Sequence, residues 1–109
     1  MVHLIKQPAT EQQLKEMLSI FETYIKVAVD IEEGILAGGG ELHADCEAVL
    51  IEDGCQRQYI WGADWVPDTG EVRFGSLINI RGKLNKGMEI KDPEIQKQLD
   101  SIVRKLLQR

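Results

Sequence analysis

The stretch RQYIWGADWVPDTGEVRFGSLINIR, residues 57–81, decides the fold prediction. Two runs in which apolar and polar residues alternate lie on either side of PDTG, a typical four-residue turn. If Val66 pairs with Glu71 across this turn, Trp65 opposes Val72, so apolar side chains meet on one face of the pair. A one-residue slip would place the tryptophan on the charged face. The stretch therefore predicts an antiparallel hairpin that continues to residue 81.

The preceding segment, ELHADCEAVLIE at residues 41–52, alternates in the same way and ends at Asp53-Gly54, a strong hairpin signal. We therefore expect a third strand here, in which Cys46 opposes Trp61. The three strands would form an antiparallel β-meander with one apolar face. The expected core residues of that face are Leu42, Ala44, Cys46, Ala48, Leu50, Tyr59, Trp61, Ala63, Trp65, Val72, Phe74, Ile78 and Ile80.

Two amphipathic helices are expected to cover that face. Thr10 and Gln13 form a capping-box pattern, and helical spacing of apolar residues favours one long or kinked helix to about residue 37. A strand over residues 24–31 is the competing prediction, because YIKVAVDI is rich in β-branched residues and also alternates. The second helix begins after Asp92, the expected N-cap, with proline at its first position.

The expected architecture is thus a two-layer α+β fold, formed by residues 1–109 as a single domain. A short strand over residues 2–6, ended by Pro8, would precede the first helix. Within 109 residues, no apolar run approaches the length of a membrane span, and the N-terminal residues do not have the pattern of a signal peptide. We therefore expect a cytoplasmic protein without a membrane partner.

Charge and cysteine content narrow the expected partners. The net charge is −5, yet residues 81–109 carry eight basic against four acidic residues. We expect the basic residues near the C-terminus to complement the negative end of a terminal helix, so nucleic acid is not an expected partner. In the predicted hairpin, Cys46 and Cys55 lie too far apart to bridge, and both are expected to be reduced.

The opposite, polar face of the predicted meander contains the candidate site residues. In the same registers His43 opposes Asp64, which opposes Arg73, and Asp45 follows beside two glycines. A histidine between carboxylates can act as a general base, with the arginine as an anion clamp, so His43, Asp45, Asp64 and Arg73 are the candidate catalytic residues. Alternatively, His43, Asp45 and Asp64 could bind a divalent metal ion.

Two other interpretations of this face stay open. His43, Asp64 and Arg73 could be a solvated cross-strand row of charges. The face could also be a protein interface, since Leu77 and several other apolar residues project from it. A non-catalytic interaction or binding module, forming a homodimer or binding a partner through the polar sheet face, is the leading hypothesis. A hydrolase or metal-dependent enzyme centred on the candidate catalytic residues is the alternative. The sequence pattern does not indicate a small-molecule ligand. The other apolar residues of this face are Val49, Ile51 and Ile60.

The segments GGELHADCE, LIEDG, WGADWVP, SLINIR and MEIKDPEI together resemble a family of short bacterial proteins described as domain of unknown function 5674. The resemblance covers roughly residues 23–107. It implies a shared fold and a prokaryotic, cytoplasmic setting, but no activity, cofactor or catalytic residue. Two positions depart from the family pattern, Cys55 in place of serine and Gly82 in place of proline, and both are predicted to lie in loops.

Overall fold

The computed structural model describes residues 1–108 and contains a five-stranded, fully antiparallel sheet with three α-helices. The strand order across the sheet is β1-β3-β2-β4-β5. The elements in chain order are β1 (His3–Ile5), α1 (Glu11–Met17), β2 (Ile25–Asp30), β3 (Ile35–Gly38), α2 (His43–Glu52), β4 (Ile60–Val66), β5 (Glu71–Arg73) and α3 (Pro93–Leu107).

Helices cover both faces of the sheet. Helices α1 and α3 pack on one face, where residues such as Met17 and Leu99 join Trp61 and Trp65 in the larger apolar cluster. Helix α2 packs on the other face, where Leu50 contributes to a smaller cluster with strand residues. The α+β class is as predicted. The difference is a further helical layer on the face that was expected to be open.

Several local predictions are confirmed. Val66 pairs with Glu71 in the β4–β5 hairpin, in the predicted register. The Thr10 side chain and Gln13 form the expected capping box at the start of α1. Asp92 caps α3, whose first residue is Pro93. In each case a short-range signal was sufficient, because the turn or cap is formed by residues within a few positions of one another.

The long helix expected up to residue 37 is wrong, and the competing strand prediction is confirmed. Helix α1 ends at Met17, and Glu22 adopts a positive φ of 64° in the turn that follows. The next segment forms β2, which is buried on both faces and suits β-branched side chains. The Asp30 carboxylate then accepts hydrogen bonds from the N–H groups of Glu32 and Glu33, which forms the tight turn into β3.

The strand expected over residues 41–52 is also wrong, since residues 43–52 form α2. The segment is rich in Ala, Glu and Leu, which are strong helix formers. Its buried residues Cys46, Glu47 and Leu50 follow a helical spacing, although the same letters also alternate. The expected pairing of Cys46 with Trp61 does not exist, because β2 and not residues 41–52 pairs with β4.

The third predicted strand is short, because β5 ends at Arg73. Beyond it, residues 76–91 form a loop organised around two buried asparagine side chains. Asn79 Nδ2 donates to the carbonyl oxygens of Phe74 and Met88, and Asn85 Nδ2 donates to that of Glu89. The two asparagines therefore supply the hydrogen bonds that a strand pair would otherwise provide.

The first and last parts of the fold are joined directly. The N–H of Ala9 donates to the carbonyl oxygen of Leu106 on α3 at 2.8 Å. Strand β1 pairs with β3 and forms one edge of the sheet. Among the helices of the described chain, none is long and apolar enough to cross a membrane.

Candidate functional site

His43 and Asp64 are in direct contact, although not by the strand pairing predicted for them. His43 is the first residue of α2, and Asp64 lies on β4. The distance from His43 Nε2 to Asp64 Oδ1 is 2.9 Å, and the distance to the carbonyl oxygen of Ala63 is 3.0 Å. The two side chains are 11% and 19% exposed. The contact ties the start of α2 to the middle of the sheet.

The two partners of His43 determine where its proton lies. A carboxylate oxygen and a carbonyl oxygen are both acceptors, so Nε2 must carry the hydrogen and share it between them. Within residues 1–108, no hydrogen bond involves Nδ1 of this ring. In the neutral form Nδ1 would therefore have a free lone pair, as a general base requires.

Arg73 and Asp45 do not complete the predicted catalytic group. Arg73 is the register partner of Asp64, but its Nε lies 3.3 Å from Glu71 Oε1 and its side chain is largely exposed. The carboxylate of Asp45 instead accepts a hydrogen bond from the N–H of Leu42 at 3.3 Å. Asp45 thus serves the first turn of α2, where such an acceptor stabilises the helix start.

The predicted metal site made of His43, Asp45 and Asp64 is not assembled. In the part of the chain that the structure describes, no three His, Cys, Asp or Glu side chains are grouped so as to hold a metal ion. The prediction depended on residues 41–52 being a strand that presents His43 and Asp45 on one face. In a helix the two residues point in different directions, because neighbours on one helix face are three or four positions apart.

The His43–Asp64 pair also has no evident space for a substrate. Five cavities lie on the surface of residues 1–108 that the structure describes, and neither residue lines any of these five. Catalytic histidines normally lie in a cleft that admits the reacting group. The contact fits a structural tie between α2 and β4.

The most apolar of these cavities lies elsewhere, between α2 and the loop that follows β5. It has a volume of about 520 Å³, and we call it the Leu77 groove. Leu77 and Leu84 are 72% and 73% exposed, and Ile80 is 47% exposed. Exposed apolar side chains grouped in this way are typical of interaction sites. The groove is defined here by Glu47, Arg57, Leu77, Ile80, Arg81 and Leu84.

The charged groups of the groove are unevenly balanced. Two guanidinium groups, from Arg57 and Arg81, line it together with the carboxylate of Glu47. Glu47 is only 8% exposed, and its Oε1 lies 3.5 Å from Arg57 Nη2. Burial lowers the pKa of Arg81. The negative charge of Glu47 raises this pKa, and the positive charge of Arg57 lowers it. Since arginine stays protonated at neutral pH, the groove carries an excess of positive charge.

Sequence reasoning identified only part of this groove. Leu77 was expected at an interface, whereas Ile80 was expected in the core and is half exposed. Both were assigned to a strand, because SLINIR alternates. Gly75 and Gly82 flank this segment and Asn79 lies within it, and such residues are the signal for a loop.

The fold and this surface define a small α+β protein with an open, largely apolar groove. The chain belongs to the family described as "Protein of unknown function (DUF5674)", which matches residues 3–106. The family expected from the sequence motifs is thereby confirmed. Searches of the curated proteins and of the solved structures found no match.

Proposed function

We propose that this chain is a small, non-catalytic interaction module of the bacterial cytoplasm, and that it contacts other proteins through the Leu77 groove. The observation that carries the proposal is the exposure of Leu77 and Leu84, at 72% and 73%, on the same groove. Leaving two leucine side chains in water forgoes roughly 1.5–3 kcal/mol each, which a partner would recover by covering them. The cytoplasmic setting is supported by Cys46 and Cys55, which are both free.

The polar sheet face, through which the interaction was first expected, is not open to a partner. Helix α2 packs against it, and Ala28, Ala37 and Ile60 are buried beneath this helix. The proposal therefore moves the contact surface to the loop after β5, while it keeps Leu77 as a central residue.

Photo-crosslinking in the bacterial cell tests the proposal. A photoreactive phenylalanine analogue placed at Leu84 should give a discrete crosslinked protein, and the same group at Ser101, exposed on α3, should not. Leu77→Asp should abolish the product. The matched control is Met88→Asp, because Met88 is a half-exposed apolar residue of the same loop that does not line the groove. Equal crosslinking from both positions, or none from Leu84, would contradict the proposal.

A homodimer is the second candidate for what covers this surface, since Leu77 was predicted at a self-association interface and is largely exposed in one copy. Light scattering at micromolar concentration decides between the candidates. A homodimer has twice the 12.3 kDa mass of one chain and reverts to one chain with Leu77→Asp. If the wild type has the mass of a single chain, no second copy covers the groove, which is then free to bind a different protein.

A further inference from the structure

We infer that the Leu77 groove binds a segment of a different protein in which a carboxylate lies next to large apolar side chains. The inference rests on the proposed function and names its partner. It follows from three features of the groove: the positive charge, the fixed orientation of one guanidinium group, and the exposed leucines beside it.

The guanidinium group of Arg81 is held in place by the protein itself. Its Cζ lies 4.1 Å from the centroid of the Trp61 ring, in cation–π contact. Its Nη1 donates to the carbonyl oxygen of Gln58 at 3.0 Å. A guanidinium group that is already oriented loses less entropy when it binds an anion.

The two guanidinium groups of the groove differ in how accessible they are to a ligand. Arg81 Nη2 is covered by the protein and has no hydrogen-bond partner within residues 1–108. Arg57 lies on the same groove, and its side chain is 74% exposed. A carboxylate that enters the groove would pair with the exposed guanidinium group of Arg57, and the positive charge of Arg81 beside it would strengthen that attraction.

The charge of the whole chain distinguishes between candidate partners. With a net charge of −5, the protein as a whole is repelled by an anionic membrane surface, although the groove itself is positive. In a two-fold homodimer the same patch would lie on both sides of the interface, so the excess positive charge of the groove would be doubled there. A short acidic segment avoids both costs, since it places one negative charge between Arg57 and Arg81 only.

Two synthetic tripeptides test the inference: acetyl-Leu-Asp-Leu-amide and its neutral match, acetyl-Leu-Asn-Leu-amide. Titration up to millimolar concentration, followed by NMR of the leucine methyl groups, should move the signals of Leu77 and Leu84. The acidic peptide should bind about tenfold more tightly than the neutral one. This preference should be lost with Arg57→Gln, whose side chain is largely exposed, and kept with Arg73→Gln outside the groove.

Equal affinity of the two peptides at the groove would overturn the inference and leave the proposed interaction surface intact. An absence of methyl shifts with either peptide would overturn it too, and the crosslinking experiment would then judge the surface independently. Binding to phosphatidylglycerol vesicles that Leu84→Asp abolishes would assign the groove to a membrane surface, against the inference. A homodimer that buries Leu77 would also contradict the inference, because a second copy of this chain would then occupy the groove.

Discussion

The side-chain amide of Asn79 forms two hydrogen bonds with the main chain of Gly62. Its Oδ1 accepts from the N–H of Gly62 at 2.7 Å, and its Nδ2 donates to the carbonyl oxygen at 2.9 Å. One side chain thus pairs with β4 as a neighbouring strand would, and it does so at a fully buried position.

Asn79→Ala should lower the free energy of unfolding by about 3 kcal/mol, because it leaves several buried main-chain groups without partners. Urea denaturation followed by circular dichroism measures the change. Gln98→Ala, at an exposed position on α3, is the control and should have little effect. If Asn79→Ala were as stable as the wild type, the two hydrogen bonds to Gly62 would have no role in stability.

Gly62 itself should not tolerate a larger side chain. A Cβ at this position would lie 2.7 Å from Ser76 Cβ, so Gly62→Ala should destabilise the fold by about 1–3 kcal/mol. At Gly75 a Cβ would meet no atom within 4 Å, and Gly75→Ala is therefore the matched control. Thermal unfolding of the two variants compares them, and equal melting temperatures would contradict the prediction.

The His43–Asp64 contact should be measurable as a coupling energy. A double-mutant cycle with His43→Ala and Asp64→Asn, read by urea denaturation at pH 7, should give a coupling of about 1 kcal/mol, because the pair is mostly shielded from water. The variants should still give the crosslink at Leu84, since the pair does not line the groove. A coupling near zero would show that the pair does not stabilise the position of α2.

Leu77→Asp and Leu84→Asp should leave the free energy of unfolding within about 0.5 kcal/mol of the wild type, since both side chains are largely exposed. Leu50→Asp is the contrasting variant, because Leu50 is fully buried on the face of α2 that packs against the sheet. Its charge would be placed in an apolar cluster, and the protein should fail to fold. If denaturation curves showed Leu77→Asp to be as strongly destabilised as Leu50→Asp, the groove leucines would belong to the core.

Stability should fall at alkaline pH because of the Cys46 thiol. Burial raises the pKa of this thiol from 9.0 to about 11. The folded state therefore favours the neutral thiol, so its contribution is complete below pH 9.0 and decreases as the pH rises to about 11. Within that window the slope approaches about 1.4 kcal/mol per pH unit.

Urea denaturation of the wild type and Cys46→Ala at pH 8, 9 and 10 isolates this contribution, because other groups titrate equally in both proteins. The difference in stability between the two should shrink as the pH rises. A difference that is independent of pH would contradict the assignment. At pH 8 Cys46 should also react slowly with iodoacetamide in the native protein and readily in urea, since the thiolate is the nucleophile.

Signals confined to a few residues predicted the local structure well. The capping box at Thr10, the cap at Asp92 and the register around the PDTG turn each depend on residues close in sequence. The contact between His43 and Asp64 was also anticipated, but for the wrong reason, because it joins a helix to a strand and not two strands. The groove could not be derived, since it needs α2 and a distant loop to be placed side by side.

The two large errors have a common physical cause. Segments 24–36 and 41–52 both contain apolar residues at spacings that fit a strand and a helix, so periodicity alone could not separate them. Tertiary packing decided each case. The first segment lies in the middle of the sheet and is covered on both faces, and the second covers the face that strand residues such as Ala28 leave apolar.

The hydrogen bond from Ala9 to Leu106 has a consequence for the order of events during synthesis. The bond joins two residues at opposite ends of the domain, and β1 needs β3 before it can pair. Strand β1 can pair once β3 has been synthesised, but Ala9 must wait without its final partner until residue 106 has left the ribosome. We expect a nascent chain stalled before α3 to expose the apolar face beneath Trp65 and to depend on chaperones, whereas the released protein folds in one cooperative step.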